Sequence, residues 1–264
     1  MADVTLADVE VAAARLAGVA HVTPLLTCAS LDDALSGGTT RFYFKAEALQ
    51  RTGSFKFRGA YNAAVAAAAA AVGARAHIVV PAASAAVKRA AIKAYGGVIT
   101  TCGAPSPLDA LIVPVGSGAM LAGVCAVLRA TPAGRAVRVF GAQPAAAAGA
   151  ARSLAAGKRL PNNAADAAAT AADGLRADLG VAGWAALSRG DVQAVLVVPE
   201  AEVARWMRVV WERLKLTIEP SAAVGVAAAA GAEFGALGLR SVGVVLCGGN
   251  VDLEGGLPWQ RGGA

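Results

Sequence analysis

Short apolar segments alternate with helix-forming stretches along most of the chain, and this alternation limits its fold more than any other feature. Four apolar segments are predicted to be buried strands: residues 110–115, 137–141, 194–198 and 242–246. Three stretches are predicted helices: one that ends at Arg129, one at residues 200–215 and one that begins at Ser221. The pattern predicts an α/β protein in which helices cover a parallel sheet. Its active site is expected beyond the carboxyl ends of the strands, where Gly116, Gln143 and Cys247 fall.

The first hundred residues repeat this alternation less regularly. Thr5 and Asp8 have the spacing of a capping box and predict a first helix. A polar segment ending at Gly37-Gly38 precedes a predicted strand at residues 41–46. Residues 77–81, 85–95 and 98–101 then read as strand, helix and strand, which together make a βαβ unit.

Lys56 follows the strand at residues 41–46 and the turn Gly53-Ser54, and is predicted to begin a helix. The positive end of a helix disfavours an ammonium, so a lysine there can lose its proton near neutral pH and act as an amine nucleophile or base. Lysines are common in first helical turns. The spacing alone therefore leaves an ordinary surface lysine as the alternative.

A glycine-rich loop, Gly116-Ser-Gly-Ala-Met120, joins a predicted strand to a predicted helix. Backbone N–H groups at such a helix start can converge on an anion, so the loop is a candidate phosphate cradle. A dinucleotide-binding loop is the rival interpretation. It requires a third glycine at a fixed spacing and an acidic residue near position 138, and the sequence has neither.

Composition argues against several other classes of protein. The net charge is +6, but the arginines are scattered and aromatic residues make up only 5% of the chain, so no nucleic-acid platform is predicted. The uncharged run at residues 110–128 contains Pro114, Gly116 and Gly118, which argues against a membrane span. Four cysteines without a paired spacing and two histidines indicate neither zinc nor disulfides. The amino terminus lacks the pattern of a leader peptide, which favours the cytoplasm.

Three motifs resemble those of pyridoxal-phosphate enzymes of the serine racemase and threonine dehydratase family. They are Lys45-Ala-Glu47 with Thr52-Gly-Ser-Phe-Lys-Phe-Arg-Gly-Ala60, the segment at residues 113–123, and the run from residues 210–221 to 246–252. The resemblance implies fold type II of these enzymes and pyridoxal 5'-phosphate as cofactor. It also implies that Lys56 carries the cofactor as a Schiff base and is the catalytic residue.

The same resemblance implies a set of cofactor-binding residues: Phe55, Lys56, Gly116, Ser117, Gly118, Ala119, Met120, Glu219 and Cys247. Ser117 and Ala119 replace glycines of the family loop, and their side chains are expected to crowd the phosphate or to force an unfavourable φ. Cys247 is implied to face the pyridine nitrogen, where a neutral thiol favours elimination. A buried structural cysteine is the alternative. Glu219 and Asp173-Gly174 also resemble family positions near the cofactor, and Glu219 is implied to lie beside the pyridine ring. A carboxylate at the start of a helix is the alternative for both acidic residues.

The chain departs from the family pattern in three places. Only alanines and Gly73 stand where relatives carry a Ser-Ser-Gly-Asn-His loop that clamps the substrate carboxylate, and only six residues separate Thr101 from Leu108, where relatives insert further elements. The predicted division is a large domain at residues 1–60 and 107–264 and a remnant of the small domain at residues 61–106. Gln143 and Gly149 replace carboxylates of the metal-dependent relatives, so no metal is predicted.

Two functions follow from the resemblance and stay open at this point. The first is an ammonia lyase or racemase-like enzyme for L-serine or L-threonine, in which Lys56 removes the Cα proton and a 2-oxo acid and ammonia are released. The second is a truncated relative that binds the cofactor but turns over little or nothing, because the clamp is missing. A homodimer is left open, as is a nucleotide effector at positions resembling Lys215 and Asn250.

Overall fold

A six-stranded sheet forms the centre of the molecule. The computed structural model describes residues 4–63, 78–81, 99–102, 108–254 and 256–260, with backbone alone at residues 78–81 and 99–102. The strands of the sheet are β1 (Leu25–Leu26), β2 (Arg41–Ala46), β5 (Ala110–Pro114), β6 (Arg138–Pro144), β7 (Ala194–Val198) and β8 (Ser241–Leu246). Their order is β1-β2-β8-β5-β6-β7, and every pair is parallel except β1 with β2.

Two further strands, β3 (Ile78–Pro81) and β4 (Ile99–Cys102), pair in parallel as a separate two-stranded sheet. They match the two strands of the predicted βαβ unit to within one residue at each end. The helix predicted at residues 85–95 lies outside the described residues.

Helices cover the large sheet. Those that the structure describes are α1 (Leu6–Arg15), α2 (Ala29–Ser36), α3 (residues 56–63), α4 (Ala119–Arg129), α5 (Pro132–Arg135), α6 (Gly149–Ala156), α7 (Ala164–Ala169), α8 (Val181–Ser188), α9 (Glu200–Leu214), α10 (Pro220–Ala229) and α11 (Ala232–Gly235). Four short 3-10 turns occur in the same residues: Glu47–Leu49, Arg51–Gly53, Ala145–Ala147 and Asp173–Leu175. None of the helices described is long and apolar enough to span a membrane.

The α/β class is confirmed, and so are most element boundaries. Strands β2 and β7 have the predicted limits, and the capping box of α1 forms with both reciprocal bonds between Thr5 and Asp8. Helix α2 is a correction, because its polar sequence predicts no helix. Leu31 is fully buried on one face, Asp32 accepts a hydrogen bond from the Phe42 N–H, and Gly37 ends the helix with a φ of 61°.

Helix α10 is the centre of the core. All its residues from Ser221 to Ala229 are buried, and most are small, so the helix lies close against the sheet. A side chain at Gly225 would approach Val244 of β8 to 3.2 Å. Because α10 is held this closely, its first residues are fixed at the carboxyl end of β8.

Candidate active site

The lysine loop runs from the end of β2 to the start of α3. Thr52 and Gly53 both adopt left-handed conformations, with φ of 60° and 73°. The extended Ser54 accepts a hydrogen bond from the Lys56 N–H at 3.1 Å through its Oγ, which caps the helix. Lys56 is exposed and occupies the first helical position, as the sequence predicts.

The end of β8 holds this loop through the backbone. The Phe55 N–H donates to the Cys247 carbonyl at 3.0 Å, and the Gly249 N–H donates to the Gly53 carbonyl at 2.8 Å. Ser54 and Gly248 form an isolated bridge between these two contacts. The loop that carries Lys56 therefore cannot move independently of Cys247.

A buried ion pair anchors the same loop, although the sequence motifs assign no separate role to its members. The Glu47 carboxylate is 4% exposed and accepts from Arg58 Nε at 2.8 Å and Arg58 Nη2 at 2.7 Å. The Thr23 hydroxyl donates to it at 2.6 Å. Burial by itself would raise the pKa of Glu47, but the bonds from Arg58 and Thr23 outweigh it and the pKa is lowered. The sequence signal for this ion pair is Glu47 itself, a carboxylate directly after the largely buried strand β2.

The glycine-rich loop leaves β5 and enters α4 at Gly118, which has a φ of 78° and is the N-cap. The expected backbone strain at Ser117 and Ala119 is wrong, because neither residue has a positive φ and both are exposed. The first N–H groups of α4 have no partner inside the helix. This loop therefore fits a phosphate group.

Gly174 is the point at which the lysine and the glycine-rich loop meet. A Cβ added there would lie 3.5 Å from Lys56 Nζ and 2.8 Å from Ser221 Oγ, which accepts from the Gly174 N–H at 3.1 Å. A Cβ on Gly116 would lie 3.1 Å from the Gly174 carbonyl oxygen. The absence of side chains at both glycines lets these segments approach one another.

Glu219 and Cys247 lie at the same edge of the sheet. Glu219 precedes α10, is 8% exposed, and accepts from the Asn250 N–H at 3.1 Å. Burial raises the pKa of Glu219, while the Asn250 N–H and Lys56 partly oppose this effect. Burial likewise raises the pKa of the Cys247 thiol well above its usual range, so this group is neutral at physiological pH.

Gln143 lies within β6 rather than beyond its end, which corrects the predicted position. Its amide is 1% exposed and makes three hydrogen bonds inside the protein. A side chain at Gly149 would meet the Asn162 Oδ1 atom, which accepts from the Gly149 N–H. Across the described residues, no group of three or more histidine, cysteine or acidic side chains is arranged to hold a metal ion.

Asn250 and Lys215 are the two residues whose positions resemble those of a nucleotide effector site. The Asn250 side chain donates to the Thr52 carbonyl at 2.9 Å and so braces the lysine loop. Lys215 ends α9 in a left-handed conformation with a φ of 56°.

The fold and this site define a class of enzyme. A sequence model described as "Pyridoxal-phosphate dependent enzyme" matches residues 99–248, more than half of the chain. The chain belongs to this family, and pyridoxal phosphate is its cofactor. The residues present fit that group: the start of α4 offers unpaired N–H groups to a phosphate, and Lys56 offers an amine.

Serine racemases are among the most similar relatives. Human serine racemase is 33% identical over 330 aligned positions, which cover 98% of this chain and 94% of that protein. The crystal structure of serine racemase from Dictyostelium discoideum superposes with a TM-score of 0.72 at 30% identity, covering 96% of this chain and all of that one. The crystal structure of a T.th. threonine deaminase superposes with a TM-score of 0.67 at 31% identity, covering 90% of this chain and 95% of that one.

Proposed function

We propose that the chain is a pyridoxal-phosphate-dependent ammonia lyase that acts on L-serine or L-threonine. The observation that carries the proposal is the meeting of Lys56, Gly116 and Ser221 at the Gly174 backbone. An amine, a loop suited to an anion and the start of a buried helix come together there. The names of the relatives, serine racemase and threonine deaminase, support a hydroxy amino acid as substrate.

The proposed roles follow from position. Lys56 holds the cofactor covalently, and Gly116, Ser117, Gly118, Ala119 and Met120 bind its phosphate. Phe55 lies beside Lys56 on the backbone that is bonded to Cys247. When bound, the cofactor withdraws electrons from the Cα atom of an attached amino acid. The Lys56 amine, freed when the amino acid takes its place, would remove the Cα proton, and the β-hydroxyl would leave with the electrons of its bond to carbon and take up that proton as water.

The Cys247 thiol favours elimination over racemisation. The thiol of Cys247 is neutral, and a neutral partner for the pyridine nitrogen weakens the cofactor as an electron sink. A reaction in which the leaving hydroxyl takes the electrons tolerates this better than one that needs a long-lived carbanion. In the complete reaction, L-serine gives pyruvate and ammonia, and L-threonine gives 2-oxobutyrate and ammonia.

A second candidate function is cofactor binding with little turnover. The alignment with human serine racemase has 330 positions whereas this chain has 264 residues, so relatives carry internal segments that this chain lacks. The Ser-Ser-Gly-Asn-His loop is also missing from the sequence. These gaps support a large domain at residues 1–60 and 107–264 with a reduced small domain at residues 61–106. Loss of substrate positioning can cost roughly 7–11 kcal/mol of barrier lowering.

The test is the release of 2-oxo acid from L-serine and from L-threonine by the protein loaded with cofactor, with D-serine measured alongside. The ammonia lyase proposal predicts pyruvate and 2-oxobutyrate, and their loss in Lys56→Ala. Cofactor bound to Lys56 without product from either amino acid would favour the second candidate. A protein that binds no cofactor would contradict both.

A further inference from the structure

The last residue before the glycine-rich loop is held by β6 at both of its backbone polar atoms. The Val115 N–H donates to the Ala142 carbonyl at 2.9 Å, and the Val115 carbonyl accepts from Gln143 Nε2 at 3.1 Å. Val115 is fully buried. The point at which the chain enters the loop is therefore fixed by one side chain, that of Gln143, in addition to the sheet.

The same amide caps a helix. Gln143 Oε1 accepts from the Ala150 N–H at 2.9 Å and from the Ala151 N–H at 3.2 Å, in the first turn of α6. The N-cap residue of that helix, Ala148, has no side chain able to make this bond. Gln143, which lies on strand β6, therefore caps α6 in place of the side chain that Ala148 lacks.

These three bonds require a side chain that both donates and accepts. At 1% exposure, the Gln143 side chain has no water to replace a lost partner. A carboxylate of the same shape could still accept from α6, but it would turn an oxygen toward the Val115 carbonyl instead of an N–H. An aliphatic side chain would leave the Val115 carbonyl and two N–H groups without this partner.

A second amide, that of Asn162, links the start of α6 to the segment that follows Gly174. Asn162 Oδ1 accepts from the Gly149 N–H at 2.7 Å, and its Nδ2 donates to the Arg176 and Ala177 carbonyls at 3.1 Å and 3.2 Å. The turn that precedes Arg176 contains Gly174, whose carbonyl packs on Gly116. The start of α6 thus connects Gln143, which bonds Val115, to the segment of Gly174, which contacts Gly116.

We propose that Gln143 is a positioning residue for phosphate binding: it fixes Val115 against α6 and thereby sets the loop at residues 116–120. This inference rests on the proposed role of that loop in holding the cofactor phosphate. Gln143 acts through Val115 and touches no bound group itself. Because Gln143 bonds Val115 directly but reaches Gly174 only through α6 and Asn162, we expect its loss to weaken binding of the phosphate more than attachment of an aldehyde to Lys56.

The test compares pyridoxal phosphate with pyridoxal, which lacks the phosphate, in wild type and in Gln143→Glu. We expect the affinity for pyridoxal phosphate to fall at least about tenfold, the factor that corresponds to ~1.4 kcal/mol. The affinity for pyridoxal should change by less than about twofold. Burial beside the Val115 carbonyl should raise the pKa of the introduced carboxyl, so lowering the pH to about 6 should restore part of the loss relative to wild type. The protonated carboxyl can donate to the Val115 carbonyl as the amide does.

Gln50→Glu is the matched control. Gln50 is also buried and also makes three hydrogen bonds, to His21 and Arg51, but none of them reaches the glycine-rich loop. This variant should lose comparable stability without altering the ratio of the two affinities. An equal loss for both ligands in Gln143→Glu would overturn the inference. Failure of wild type to bind pyridoxal phosphate would instead contradict the proposed function.

Hydrogen exchange of the wild-type protein provides a readout that needs no variant. Pyridoxal phosphate should slow exchange at the Ala150 and Ala151 amides, whose protons are bonded to Gln143, more than pyridoxal does. If both ligands left these two amides unchanged while the amides of residues 116–120 became protected, the coupling through Gln143 would be refuted.

Discussion

The ion pair between Glu47 and Arg58 is expected to supply a large share of the stability of the lysine loop. Glu47→Gln keeps the shape of the side chain but removes the charge and replaces one acceptor by a donor. Two bonds from Arg58 are affected, at 2.8 Å and 2.7 Å, whereas the bond from Thr23 can persist. Hydrogen bonds to charged groups contribute about 1.5–3 kcal/mol each. Because the Arg58 side chain is 34% exposed, water can solvate it in the variant and reduce the loss. We therefore expect the free energy of unfolding to fall by about 2–4 kcal/mol.

Thermal unfolding at neutral pH measures this loss. For a chain of this size about 1 kcal/mol corresponds to ~2–4 °C, so the melting temperature should fall by about 4–16 °C. Glu212→Gln is the control: it breaks a pair with Arg208 in which both side chains are more than half exposed, and it should change stability by less than about 0.5 kcal/mol.

The stabilisation by the Glu47 carboxylate should depend on pH. The folded pKa of Glu47 is lowered, so its charge stabilises the protein above the pKa of the unfolded carboxyl, about 4.3. This stabilisation disappears as the pH falls through the lower, folded pKa. The difference between wild type and Glu47→Gln should therefore narrow in acid. A melting temperature within about 1 °C of wild type at neutral pH, well below the smallest expected fall, would refute the reasoning.

Three further predictions follow from the same geometry. Glu219→Gln should be more stable than wild type at neutral pH, because the pKa of Glu219 is raised in the folded protein and its ionisation is therefore destabilising. The variant should lose this advantage in acid, where the wild-type carboxyl is protonated. Equal melting temperatures of the two proteins at all pH values would contradict this. Gly174→Ala should weaken cofactor binding, since its Cβ would lie 2.8 Å from Ser221 Oγ, whereas Gly235→Ala, with no neighbour within 4 Å, should leave binding unchanged by absorbance titration. EDTA should leave the melting temperature unchanged, because the uncharged Gln143 amide is already bonded to other groups of the protein and supplies no carboxylate to a metal ion. A clear rise in melting temperature with added Mg²⁺ would contradict this.

Features encoded by neighbouring residues were predictable from the sequence. The strand β2, the turn at Gly53 and the helix start at Lys56 all depend on local preferences, and each forms where expected. The same holds for the capping box of α1, whose two partners are three residues apart. Local patterns of this kind act over a few residues, and they survive folding unless packing overrides them.

Features that depend on distant contacts were not predictable in the same way. In the sequence, Gln143 only marks the replacement of a carboxylate that metal-dependent relatives carry. Its structural role follows from its hydrogen bonds to Val115 and α6, which the sequence does not show. The strain expected at Ser117 and Ala119 does not arise, because Gly118 alone takes the left-handed conformation. Helix α2 forms because Leu31 finds a place in the core, which a polar sequence does not reveal.

The central claim is that Lys56 holds the cofactor, and covalent trapping tests it most directly. The protein is incubated with pyridoxal phosphate, reduced with borohydride, digested and mapped by mass spectrometry. The account predicts one modified peptide, carrying the reduced cofactor on Lys56, and none in Lys56→Ala. Modification of a different lysine, such as Lys45 or Lys215, with Lys56 left unmodified would contradict it.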